Sequence, residues 1–295
     1  VAYPSRETDT SDVLPNLGEM HWRSGGERHM WNPNTISTIQ LATSTNSRET
    51  FEQFTKASDE QATRGCTLRG LMTFKEGANG GSVPIEEVEG IMAMFTNNFE
   101  FIESPEIAME CHPGHLTFDY VDKLIQSGIN RMSLGVQDFE SNVMEAVNRD
   151  ESIIPVDELI KYIKSKGDIS VNLDFVYGLP YQTPESFNST INKAVKANPD
   201  RLAIFSYAHV PWLKKAQQKL ESYDLPNAEQ KIALFETATQ ILINNGYVSI
   251  GLDHFAKPED ELCIALNEKA LHRNFQGYCT RETTGQVYAI GVSGI

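Results

Sequence analysis

From about residue 85 onward, apolar runs of strand length alternate with amphipathic segments of helical period, a pattern that permits few folds. Strands separated by helices are parallel, and parallel strands demand a crossover on a sheet face, so the alternation predicts a parallel α/β sheet or barrel. Strands are expected at Glu106 to Cys111, Arg131 to Gln137, Ser170 to Tyr177, Arg201 to Ala208 and Tyr247 to Phe255, with a sixth at the short run Leu17 to Trp22. Each carries Ile, Leu, Val, Phe or Met on both parities, as expected when both sheet faces are covered.

The intervening segments have clear helix signals. Thr117 caps a helix through Ser127, whose apolar face is Val121, Leu124 and Ile125 and whose stop is Gly128. In Thr183-Pro184-Glu185 a hydroxyl cap precedes proline at the first helical position, where a missing N–H is harmless. Asn227 and Gln230 have capping-box spacing ahead of Ile232, Phe235, Ala238 and Leu242, with Gly246 closing that helix. Another helix is expected over Pro84 to Phe99. Residues 33–84 break the alternation: they are dense in Thr, Ser, Asn, Gly and Glu. Apart from a helical Arg48 to Ala57 and an apolar Leu68 to Phe74, they offer little core, so the segment reads as a polar insertion or poorly ordered excursion.

Polar residues gather at the C-terminal ends of the apolar strands. They are Glu110 and His112, Gln137 and Asp138, Asp174, His209, and the pair Asp253 and His254. In a parallel barrel those ends open on one rim, where catalytic groups collect. Taken singly, each is as readily a capped strand end or a solvated loop residue; taken together they predict a polar pocket. Asp174 stands out, because a carboxylate between Leu173, Phe175 and Val176 is partly buried and needs a partner.

Composition narrows the function classes. The 295 residues carry a net charge of −15, which repels phosphate backbones and anionic lipid, so neither nucleic acid nor a membrane is expected as partner. No apolar run reaches the roughly 20 residues of a membrane span. The four cysteines, Cys66, Cys111, Cys263 and Cys279, are spaced by 45, 152 and 16 positions, which suits neither a disulfide framework nor a metal motif. A reducing, cytoplasmic setting is the expectation.

Several stretches then resemble the oxygen-independent coproporphyrinogen III oxidase family, radical S-adenosylmethionine enzymes of haem biosynthesis. They are Arg131-Met-Ser-Leu-Gly-Val-Gln-Asp-Phe139, Val147-Asn-Arg149, Asn172-Leu-Asp-Phe-Val-Tyr-Gly-Leu-Pro-Tyr-Gln-Thr-Pro-Glu-Ser-Phe187, Asn198-Pro-Asp-Arg-Leu202, Tyr207-Ala-His209, Gly251-Leu-Asp-His-Phe-Ala256 and Leu271-His-Arg-Asn-Phe-Gln-Gly-Tyr278. Gly291-Val-Ser293 and a weaker patch at His21-Trp22 with Gly25-Gly26 complete the set. The resemblance implies an α/β fold, a partial (β/α) barrel of the radical SAM type, incomplete at both ends. Residues 1–32 would be a damaged first βα portion, 33–84 the insertion, and 85–295 the barrel.

The resemblance also implies S-adenosyl-L-methionine and a [4Fe–4S] cluster as cofactors, a tetrapyrrole substrate and an electron-donor protein. It assigns cofactor contacts to Gly25, Gly26, Glu110, Gln137, Arg149, Asp174, Ala208 and Ile295. Carboxylates and an amide suit ribose hydroxyls and an amino group, and a guanidinium suits a carboxylate. For the substrate's carboxylates it points to His209, His254, Lys257, His272 and Arg273, although Lys257 and Arg273 are as readily solvated surface charges. The implied reaction converts two propionates of coproporphyrinogen III to vinyl groups by oxidative decarboxylation.

Departures from the family pattern bear on activity. The three-cysteine CxxxCxxC motif that holds such a cluster is not in this sequence, so no cluster ligand is assigned. The region His21-Trp-Arg-Ser-Gly-Gly-Glu-Arg28 stands where the family reads roughly His-Trp-Gly-Gly-Gly-Thr-Pro. Three readings therefore stand side by side. One is part of an oxidase, inactive as this chain alone. Another is a cluster-free relative, like a haem chaperone, that binds porphyrin or S-adenosylmethionine. The third is an unrelated βα-barrel enzyme working by acid–base catalysis through Asp174 and a histidine.

Overall fold

A computed structural model describes residues 84–98, 100–101, 105–274 and 277–280, together with the strand segments 35–36, 38–42, 67–68, 72–75 and 287–290. In chain order the elements are β1 (Thr35–Ile36), β2 (Thr38–Ala42), β3 (Thr67–Leu68), β4 (Met72–Lys75), α1 (Ile85–Asn98), β5 (Glu100–Phe101), β6 (Ile107–Cys111), α2 (Phe118–Gln126) and β7 (Arg131–Gln137). Then come α3 (Ser141–Ala146), α4 (Val156–Ser165), β8 (Ser170–Tyr177), α5 (Pro184–Ala197), β9 (Arg201–Ser206), α6 (Ala228–Asn244), β10 (Val248–Gly251), β11 (His254–Ala256), α7 (Glu261–Asn267), β12 (Leu271–Asn274), β13 (Gly277–Thr280) and β14 (Val287–Ile290). Short 3-10 helices occupy Pro113–His115 and Lys215–Ser222.

The main sheet has nine strands in the order β10-β11-β9-β8-β7-β6-β4-β2-β14. From β9 to β14 every pairing is parallel, while β11 runs antiparallel to both its neighbours. Among the described residues β10 and β14 are the two ends of the order, as in a partial barrel. β1, β3 and β5 form a small parallel sheet, and β12 with β13 a hairpin. β2 and β4 come from the 33–84 segment, so part of that segment is sheet backbone. The expected run Leu17 to Trp22, the helix Arg48 to Ala57 and residues 1–32 lie outside the described residues, as do Gly25, Gly26 and Ile295.

The helices form where the caps are. Thr117 Oγ1 accepts from Tyr120 N at the start of α2, and Gly128 stops it at φ 97°. Both Thr183/Ser186 and Asn227/Gln230 make reciprocal capping boxes at α5 and α6, each contributing about 1 kcal/mol of helix stability. These helices bury Val121, Leu124, Phe187, Ile191, Leu234 and Ala238 in a core shared with the sheet residues Met132, Leu134, Val171, Leu173 and Phe175.

Burial corrects the expectation of a sheet covered on both faces. Along β7, Met132, Leu134 and Val136 are buried while Arg131, Ser133, Gly135 and Gln137 are only half-buried, and β8 alternates in the same way. The helices cover one face, and the other parity, Ser133-Gly135-Gln137 and Asn172-Asp174-Val176, is turned to a cleft or its supports. The apolar content of both parities had masked a period of two.

The last expected strand is corrected too. Tyr247 to Phe255 is a hairpin: Gly251 at φ 148° and Leu252 at φ 47° reverse the chain between β10 and β11, with the register shifting between Ser249 and Gly251. Any side chain at position 251 would also be crowded from outside, since a Cβ there would stand 2.5 Å from Tyr278 Oη. β9 ends at Ser206 and not at Ala208. Tyr207 N still reaches Tyr177 O at 2.8 Å, but Gln217 then takes Ala208 O and Val210 N out of the ladder.

Candidate active site

A cleft of about 1140 Å³ opens over the C-terminal halves of β6 to β9. Glu110, Gln137, Arg149 and Asp174, the contacts expected from sequence on four separate segments, all line it. Ser133 and Gly135 from β7, His112 after β6, and Tyr207 after β9 join them.

Asp174 is positioned by two neighbours of the same sheet face. Ser133 Oγ donates to its Oδ2 at 2.7 Å, and Asn172 Nδ2 donates to its Oδ1 at 2.7 Å. Asn172 also donates to Ser133 Oγ at 2.7 Å, which closes a triangle across β7 and β8. A half-buried carboxylate that receives a donor on each oxygen is fixed in orientation.

The end of β7 is distorted to shape the cleft. The register slips between Gly135 and Gln137, and Gln137 is left-handed at φ 68°. Arg149 donates to Gly135 O at 2.7 Å. A Cβ on Gly135 would stand 2.8 Å from Gln137 Nε2 and 2.9 Å from the Arg149 guanidinium, so this position must be glycine for both groups to meet there.

Asp138 is a support. It is 2% exposed, its Oδ1 accepts from Phe139 N, Glu140 N and Thr190 Oγ1, and its Oδ2 accepts from Gln182 Nε2 at 2.6 Å. The sequence placed it among the pocket groups, but the structure ties it inward, joining the loop after β7 to the loop after β8.

His112 is also enclosed. Its Nδ1 accepts from Gly114 N at 3.0 Å, its ring stacks on His115 at 4.7 Å, and burial, with the nearby Arg149 guanidinium adding to it, lowers its pKa to about 4. The imidazole is therefore neutral, and Nε2 is its donor nitrogen.

The remaining expected residues divide. Ala208 follows the cleft residue Tyr207 but does not itself line the cleft, and its carbonyl accepts from Gln217 Nε2 at 3.0 Å. His209 Nδ1 meets Tyr207 Oη at 3.2 Å. His254 sits on the hairpin turn against Asp253 Oδ1 at 2.6 Å and packs on Phe205 and Tyr278; it does not line the cleft. His272 and Arg273 lie on β12, with Arg273 over the Tyr278 ring. Lys257 lies at the opposite end of the sheet: its N–H bonds Asp200 O, and its Nζ is 3.7 Å from Asp200 Oδ1, just ahead of β9.

Sequence reasoning missed Lys231, Gln182 and Lys219. Lys231 comes from α6, lies along Gly178 and donates to Tyr207 O at 2.8 Å, its pKa lowered by burial. Its signal was a lysine on the first turn of a helix that packs beside the strand ends, which the sequence alone does not single out.

Residues 83–194, which carry β6 to β8 and the cleft residues Glu110, Gln137, Arg149 and Asp174, match the Radical SAM superfamily. More narrowly, the chain resembles the oxygen-independent coproporphyrinogen III oxidases. It is 42% identical over 220 residues to that enzyme from Salmonella typhimurium and 41% identical over 220 residues to that of Escherichia coli, covering 73% of this chain and 48% of each relative. The solved coproporphyrinogen III oxidase from Escherichia coli, described as a radical SAM enzyme, superposes with a TM-score of 0.77 at 32% identity, over 88% of this chain and 64% of that one. The chain thus spans about half the length of the curated relatives it matches.

The superfamily implies S-adenosylmethionine, and the cleft fits it. Two carboxylates, an amide and a guanidinium converge around the cradle that a Cβ on Gly135 would fill. The [4Fe–4S] cluster the superfamily also implies does not fit the described residues. Cys111 and Cys263 are buried and far apart in the fold, with Cys263 Sγ against Ala256 O and its thiol pKa raised by burial. No group of three His, Cys, Asp or Glu side chains suited to a metal occurs among the described residues. Likewise, no described helix is long and apolar enough to cross a membrane.

Proposed function

We propose that this chain supplies the S-adenosylmethionine-binding and tetrapyrrole-binding part of an oxygen-independent coproporphyrinogen III oxidase, with Glu110, Gln137, Arg149, Asp174 and the backbone at Ala208 as its cofactor contacts. The observation that carries the reading is the convergence of four of these groups on one cleft within the matched superfamily region. When bound and reductively cleaved, S-adenosylmethionine supplies the hydrogen-abstracting radical.

The chain's own residues do the positioning. Arg149, braced on Gly135 O, offers its guanidinium to the methionine carboxylate. Asp174, fixed by Ser133 and Asn172, and Glu110 accept from ribose hydroxyls or the amino group. Carboxylates on the cleft floor also favour the sulfonium charge. Gln137 reaches the same space through its left-handed backbone. His112 stays neutral and donates through Nε2.

No step is assigned to an iron–sulfur cluster, and the chain alone is proposed to bind without turnover. Isothermal titration calorimetry with S-adenosylmethionine tests the reading. Saturable binding that falls at least tenfold in Arg149→Met and Asp174→Asn supports it; a folded wild-type chain that takes up no heat sinks it. Turnover of coproporphyrinogen III after anaerobic reconstitution with iron and sulfide would overturn the claim of inactivity.

A further inference from the structure

We infer that the turn Val210–Lys214 and the short helix after it form the docking platform for an acidic tetrapyrrole, Trp212 and Leu213 lying against the macrocycle and Lys214 and Lys215 taking its carboxylates. The inference rests on the proposed tetrapyrrole substrate. Trp212 and Leu213 are 79% and 72% exposed, more than any other large apolar side chain among the described residues. Scattered exposed apolar residues need no explanation, but two in succession at the tip of one turn do.

The turn is built and held in place. Leu213 N and Lys214 N both donate to Val210 O at 2.9 Å. Gln217 staples it to the end of β9, its Oε1 accepting from Val210 N at 2.6 Å and its Nε2 donating to Ala208 O. Directly after the turn, Ala216, Gln217, Lys219 and Leu220 line the cleft. An apolar tip held at a cleft mouth loses little conformational freedom when a flat ligand covers it.

Charge selects the ligand. The cleft carries the carboxylates Glu110, Glu145, Asp150 and Asp174 against the cations Arg149 and Lys219, so its floor repels a polyanion. In a chain of net charge −15, the turn and short helix, residues 210–222, contain three lysines and one acid, Glu221, which stands 3.6 Å from His209. A ligand with an apolar disc and several carboxylates at its edge therefore meets its complement at the mouth, with its disc on Trp212 and its acids on the lysines.

Coproporphyrin III, the stable oxidised form of the macrocycle, serves as the probe, its binding to the whole chain followed by quenching of tryptophan fluorescence and by porphyrin anisotropy. Trp212→Ala is expected to weaken binding about tenfold and Trp212→Phe to restore most of it, as aromatic stacking requires. Lys214→Gln with Lys215→Gln is expected to weaken binding about tenfold and to flatten its salt dependence, while S-adenosylmethionine affinity stays at the wild-type level in all three. The tetramethyl ester of the porphyrin should lose the lysine-dependent part. Wild-type binding that none of these variants changes overturns the platform alone. A wild-type chain that binds S-adenosylmethionine but no coproporphyrin overturns the substrate reading and the platform with it.

Discussion

Replacing Asp138 with asparagine changes one atom at the junction of two cleft loops, and the surrounding hydrogen bonds dictate how the new side chain must sit. Three donors, Phe139 N, Glu140 N and Thr190 Oγ1, converge on Oδ1, so the amide oxygen must stay there. The new NH₂ then faces Gln182 Nε2 at the 2.6 Å position of the lost bond. Gln182 has no escape by turning over, because its Oε1 accepts from Leu179 N at 2.9 Å and its Nε2 donates to Val176 O at 2.9 Å. The change removes a charge-assisted hydrogen bond and sets two buried donors against each other, a cost of about 2–4 kcal/mol. The neutral side chain recovers only part of this, since the aspartate's charge is already compensated by four donors. In urea the unfolding midpoint should fall by about 1 M for a slope near 3 kcal/mol/M. S-adenosylmethionine affinity should fall with it, because Gln137, Val176 and Leu179 border the cleft. A midpoint within about 0.2 M of wild type at an unchanged slope would refute the network as a support.

Other outcomes come from the same geometry. Gly135→Ala should lower S-adenosylmethionine affinity at least tenfold by calorimetry while costing only about 1–2 kcal/mol of stability, because its Cβ meets the mobile ends of Gln137 and Arg149 rather than backbone. His112, with its pKa near 4 in the fold and near 6.5 when unfolded, takes up its proton first in the unfolded chain. Stability should thus fall as pH drops from about 6.5 towards 4, by at most about 3 kcal/mol and by less because the ring borders a wet cleft; His112→Asn should flatten that part of the pH profile of melting. Asp260→Ala removes the 2.7 Å partner of Arg201 and leaves it Glu261 at 2.9 Å, and should cost about 1.5–3 kcal/mol in chemical denaturation.

Strand positions and helix starts were legible because their signals are local. β7 and β8 fall on the expected residues, and Thr117, Thr183 and Asn227 cap as their spacing requires. The hairpin at 248–256 was not legible, because Gly251-Leu252-Asp253 reads like the end of one more strand until Leu252 is seen at positive φ. The site was half legible. Glu110, Gln137, Arg149 and Asp174 stand out in the sequence, but Arg149 and Asp174 also depend on partners 14 and 41 positions away, Gly135 O and Ser133. Periodicity carries no information about such pairings.

The two ends of the sheet put the same residue types to opposite uses, which explains why charge alone misled for Lys257. At the N-terminal ends, Arg131 opens β7 and Arg201 opens β9, and both reach Glu261, while Arg131 also pairs with Glu106 at 2.8 Å ahead of β6. Asp200, just before β9, accepts from Val171 N at 2.8 Å and from Lys164 at 2.7 Å, and Lys257 joins this group. Every one of these charges is spent on another residue of the chain, so this end clamps strand to strand and strand to α7. At the C-terminal ends, Arg149 is braced on the carbonyl of Gly135, and Arg149, Glu110 and Asp174 all border the cleft. A parallel sheet with its helices on one face makes this division natural, because strand starts are crossed by the returning chain whereas strand ends open into loops. An arginine or lysine in such a fold is thus a ligand candidate only if the topology carries it to the end where the strands stop.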